Sequence, residues 1–67
     1  MLDKRSFSLS GHRTSVALEP EFWAALGEIA QAAGEPLSAL ITRIDAKRAE
    51  GQPLASALRV FALKEKL

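Results

Sequence analysis

The sequence predicts a mainly helical domain headed by a short N-terminal β-ribbon, and three observations carry that prediction. Residues 13–18, Arg13-Thr14-Ser15-Val16-Ala17-Leu18, alternate in polarity with the period of a strand. Glu19-Pro20-Glu21 follows directly and opens a segment whose apolar residues recur at helical spacing. Gly34 then separates this helix from a second one, since glycine accepts the left-handed conformation that ends a helix.

In 13–18 the inward set is Thr14, Val16 and Leu18, and the outward set is Arg13, Ser15 and Ala17. A lone strand leaves its backbone donors and acceptors without partners, so it has to pair. The expected partner is the same strand of a second copy. Residues 4–10, Lys-Arg-Ser-Phe-Ser-Leu-Ser, also alternate, with Phe7 and Leu9 set against serines. After the break at Ser10-Gly11-His12 they either fold back as a hairpin or extend the ribbon past a kink. A separate, less stable edge segment is the slightly favoured expectation.

The first helix is expected from about residue 20, with proline in its first turn and glutamates at its positive end. Phe22, Leu26, Ile29, Ala30 and Ala33 form its apolar stripe, which Trp23 widens. Trp23 is expected in the core or at a dimer interface. Pro36 suits the first turn of a second helix over roughly 36–49, with Leu37, Leu40, Ile41 and Ile44 facing in. Gly51-Gln52-Pro53 marks another break, and a third helix is expected over 53–65. It carries Leu54, Leu58 and Phe61 on one face and Val60, Leu63 and Leu67 on another. Such a helix is wedged between subunits or folded back over the domain. The organisation is thus an N-terminal arm or edge strand (1–12), a core (13–49) and a C-terminal helix (50–67). No repeats and no low-complexity segments stand out.

At 67 residues the chain is one domain with a small core, and chains of this size commonly add disulfides, metals or a second subunit. There is no cysteine and His12 is the single histidine, which argues against disulfides and against a zinc site within one chain. No cofactor is expected. The glutamates show no convergent spacing and no phosphate-binding glycine loop occurs, so an enzyme is not expected. No stretch is long and apolar enough to cross a bilayer, and Met1-Leu2-Asp3-Lys4-Arg5 lacks the apolar core of a secretory signal. The expectation is a cytoplasmic protein without a membrane partner. Net charge is only +1, yet residues 19–35 hold four acids and no base, while 1–18 and 36–67 are each net basic. A polyanion would therefore be met on the strand side and repelled by the first helix.

The stretch from Arg13 to Ile44 resembles the ribbon-helix-helix family, the Arc/MetJ type of bacterial DNA-binding proteins. The ribbon is matched by Arg13-Thr14-Ser15-Val16-Ala17-Leu18, the helix start by Glu19-Pro20-Glu21-Phe22, and the turn and second helix by Gly34 with Leu37-Ser38-Ala39-Leu40-Ile41. The flanks Ser10–Ser15 and Leu54–Phe61 look like a subgroup of short bacterial ribbon-helix-helix proteins.

The resemblance implies a ribbon-helix-helix homodimer with an additional C-terminal helix, whose paired strands insert into the major groove of duplex DNA. Arg13, Ser15 and Ala17 would then face bases, Arg13 as a bidentate guanine reader and Ala17 against a thymine methyl. The start of the second helix would hold a phosphate, helped by Ser38. Lys4 and Arg5 would touch the DNA backbone as an arm, and His12 would lie near a phosphate. Val16, Leu18, Phe22, Leu26, Leu40, Ile41 and Ile44 would form the dimer core. The implied role is a transcriptional repressor. Its alternatives are an antitoxin of a toxin–antitoxin pair and a dimeric protein-interaction module that has lost DNA binding.

Overall fold

The computed structural model describes residues 1–66. Two strands, β1 (Asp3–Leu9) and β2 (His12–Leu18), are followed by helices α1 (Pro20–Ala32), α2 (Leu37–Lys47) and α3 (Leu54–Lys66). The helical boundaries fall within two residues of those expected.

The ribbon departs from expectation in one respect. β1 and β2 pair antiparallel within the chain, from Asp3↔Leu18 to Leu9↔His12. β1 therefore pairs with one edge of β2 within the chain. The physical reason is the turn. Ser10 and Gly11 both take positive φ, 51° and 80°, the backbone of a two-residue turn whose twist matches that of the flanking strands. The glycine is a hairpin residue, and 4–9 is a full partner strand.

Pro20 occupies the first turn of α1, where its missing N–H costs nothing. The helix ends in a Schellman motif. Glu35 N–H donates to Ala30 O and Gly34 N–H to Gln31 O, both at 3.0 Å, with Gly34 at φ 70°. Pro36 caps α2, and its carbonyl accepts from Ala39 and Leu40.

Alternation on the strands and helical spacing on α1–α3 aim one apolar set at a single core. It comprises Leu9, Val16, Leu18, Trp23, Leu26, Ala30, Leu40, Ile41, Ile44, Ala57, Leu58 and Ala62. Six of the seven residues expected in a dimer core are buried within one chain, and Phe22 packs half-buried at its edge. α3 lies against α1, α2 and β2, so it is folded back over the domain. Val60 and Leu63 on its far side stay exposed. Leu67 lies outside the described residues.

Candidate nucleic-acid interface

A two-residue turn sets the hairpin register, and the register decides which side chains share the outer face. Even-numbered residues of β1 and odd-numbered residues of β2 point away from the core. Lys4 stands opposite Ala17, Ser6 opposite Ser15, and Ser8 opposite Arg13. All are exposed except Ala17, which is half-buried. The Oγ atoms of Ser6 and Ser15 lie 2.9 Å apart in a hydrogen bond, and Arg13 Nη1 donates to Ser8 Oγ at 3.2 Å. The face is thus a row of hydroxyls between two cations at opposite corners. It is chemically suited to donate and accept at base edges while its cations meet phosphate or guanine.

Arg13, Ser15 and Ala17 come together there as expected. Lys4 joins them, being part of a strand rather than of an arm. Arg5 does not, because alternation turns it to the inner side. Its guanidinium lies 4.8 Å from the centroid of the Trp23 ring and 3.5 Å from Asp3 Oδ2. Trp23 itself is buried, with its ring against Phe7 at 5.8 Å between centroids. His12 opens β2 opposite Leu9, exposed and one position out of phase with the outer face. Ser38 is exposed in the first turn of α2, on a different element. Ser6 and Ser8 were missed by the sequence reading, although the alternation of residues 4–9 already set them beside Lys4.

Ion pairing separates the cations. Arg5, Arg43, Arg48, Arg59 and Lys66 pair with Asp3, Glu35, Asp45, Glu19 and Glu28. Among the described residues Lys4, Arg13, Lys47 and Lys64 have no such partner, and the first two stand on the ribbon's outer face. The Arg43–Glu35 contact, at 2.6 Å, neutralises the acid that precedes α2. A backbone hydrogen bond at Glu19, reinforced by the Arg59 guanidinium, holds its carboxyl below the usual range. Lys66 does the same for Glu28 by hydrogen bonding and charge. Among the described residues no group of acids and histidine is placed to hold a metal.

The two-stranded ribbon, with its polar face outward, is followed by three helices. A family model described as "Ribbon-helix-helix domain" matches residues 2–66. The chain belongs to the ribbon-helix-helix family. No curated protein and no solved structure matches it. Ribbon-helix-helix domains are in general DNA-binding regulators that dimerise, and they are typically not enzymes. No helix among the described residues is long and apolar enough to cross a membrane. Within this chain β1 and β2 form an antiparallel hairpin.

Proposed function

We propose that this protein binds duplex DNA sequence-specifically by laying the outer face of its ribbon in the major groove, and that it represses transcription. The observation that carries the reading is the outer face itself. Arg13 and Lys4, free of acidic partners, flank a hydroxyl row on a two-stranded ribbon of a width the major groove admits. Arg13 is the guanine reader, because its planar fork matches O6 and N7. Ser15 and Ser6 bond to base edges, and Ala17 offers its methyl to thymine. The first turn of α2, with Ser38, holds a phosphate through N–H groups that no helix satisfies internally. Arg43 helps by neutralising Glu35 there.

The antitoxin alternative asks for a tail free to capture a toxin, and α3 is instead packed on the core. A protein-interaction role has one specific observation in its favour, an open cleft of about 980 Å³ at the ends of the three helices. Ile29, Ile44 and Phe61 line it, with the unpaired Lys47 and Lys64 among its cations.

The test is titration of the chain against its own gene's upstream duplex and a random duplex across a salt series. DNA binding predicts tighter association with the upstream DNA, falling with salt on a log–log slope of several phosphate contacts. A folded chain that binds neither duplex at low salt would turn the search to a protein partner for the cleft.

A further inference from the structure

We propose that the cleft at the ends of the three helices is a docking groove for an acidic amphipathic helix of a partner protein. The inference does not rest on the DNA-binding reading, because the residues lining the cleft all lie on the helices or in the loops between them.

The cleft has an apolar floor and a basic rim. Ile44 and Ala57 are buried at its base, Ile29 and Phe61 are half-buried, and Val60 beside them is 42% exposed. Five basic side chains line it against two acids. Three of those bases are already held, Arg43 by Glu35, Arg48 by Asp45 and Lys66 by Glu28. Lys47 in the last turn of α2 and Lys64 in the last turn of α3 are exposed and have no acidic partner among the described residues. With Glu28 taken by Lys66, Glu65 is the one lining acid that no described cation holds.

This charge pattern selects the occupant. The helix C-termini that meet here carry partial negative charge, but it is diffuse and solvated. The two lysines are flexible point charges that can follow a carboxylate on a docked surface. A second copy brought in on a two-fold axis would lay the patch against itself. Lys47 and Lys64 would then face a surface with the same unpaired cations, so the cleft is a poor partner for its own copy. At about 980 Å³ the space is large, and it is open rather than enclosed, so a small molecule would stay largely wet. A helix instead rests its apolar stripe on such a floor and keeps its outer face in water. Acidic residues flanking that stripe would meet Lys47 on one wall and Lys64 on the other.

Panning a displayed library of amphipathic helices, randomised at the stripe and its flanks, against the full chain tests this. Expected winners carry large apolar residues at i, i+3 or i+4, and i+7, flanked by Asp and Glu. Lys47→Glu combined with Lys64→Glu should weaken a winning peptide by about tenfold, with an unchanged circular dichroism spectrum. Exchanging the peptide's flanking acids for lysines should restore binding to that variant. Val60→Asp should weaken the same peptide and leave the subunit stoichiometry in native mass spectrometry unchanged. No winners, winners without acidic flanks, or equal binding to the double variant would overturn the proposal. So would a folded Val60→Asp protein whose subunits come apart, because the cleft would then be covered by a second copy. Should Val60→Asp unfold the chain, the two exposed lysines still decide the outcome.

Discussion

Trp23 Nε1 donates to the backbone carbonyl of Asp3 at 2.7 Å, tying the first residue of the ribbon to the core helix α1. The same indole packs on Phe7 and lies under the Arg5 guanidinium. One buried ring thus sets where β1 begins, and with it the position of Lys4 on the opposite face.

Trp23→Phe removes that donor and leaves the Asp3 carbonyl short of a partner. The expected cost is about 1–3 kcal/mol, read as a lower urea midpoint with an unchanged m-value. Hydrogen exchange should speed up in β1 before it does in α2. Uniform loss of protection across the chain would show that the indole bond is not specific to the ribbon.

The hairpin turn makes a paired prediction. Gly11 holds φ 80°, so Gly11→Ala should destabilise by about 1 kcal/mol through left-handed strain. Ser10 holds φ 51°, and asparagine tolerates that region better, so Ser10→Asn should stabilise by a few tenths of a kcal/mol, roughly. Thermal unfolding of the two variants should shift in opposite directions. Equal melting temperatures would mean the turn does not hold the hairpin.

Val16 is buried on the inner face within a single chain. Val16→Lys drives a charge into that core and is expected to unfold the protein, costing several kcal/mol, roughly. The loss should be independent of protein concentration, because the residue is covered by its own chain. Circular dichroism over a dilution series separates this from dissociation of a dimer.

On the proposed DNA face, Arg13→Ala should reduce discrimination for the preferred duplex by about 1–3 kcal/mol without altering the circular dichroism spectrum. Lys64→Ala removes the same charge from α3 and should leave discrimination intact. Competition titrations with matched and mismatched duplexes distinguish the two. Identical losses in both variants would reduce the Arg13 effect to net charge.

The acid limb of stability follows from the depressed carboxyls of Glu19 and Glu28. A folded-state pKa below the unfolded one means the unfolded chain binds more protons. The stabilisation is therefore complete above the ordinary carboxylate range and lost as pH falls through the folded value. Both groups are exposed, so the effect is small and screened by salt. Lys66→Ala should bring the Glu28 carboxyl back toward its ordinary titration, as followed by carbon-13 chemical shift. An unchanged Glu28 titration would show that the Lys66 contact does not persist in solution.

The elements were legible because their signals are local. The proline after Glu19, the Gly34 break, and the spacing of Leu40, Ile41 and Ile44 each act within a turn or two of chain. So does the alternation that placed Arg13 and Ser15 on one face. The helical apolar pattern of 54–66 was equally plain, although two apolar sides left open whether α3 met a subunit or its own domain. Burial of Ala57, Leu58 and Ala62, with Val60 and Leu63 exposed, answered that for the chain.

By itself, the sequence determined the order of ribbon and helices, the inward and outward sets of β2 and most of the core, Ala57 and Ala62 excepted. Periodicity and capping need no knowledge of distant contacts. Only the tertiary structure decided who pairs with β2, that Arg5 turns inward while Lys4 turns outward, and that Ser6 and Ser8 complete the face. Those outcomes depend on strand register, which is set by the backbone of two turn residues and by the Trp23 anchor. A single shift of register would have sent every one of those side chains to the other face.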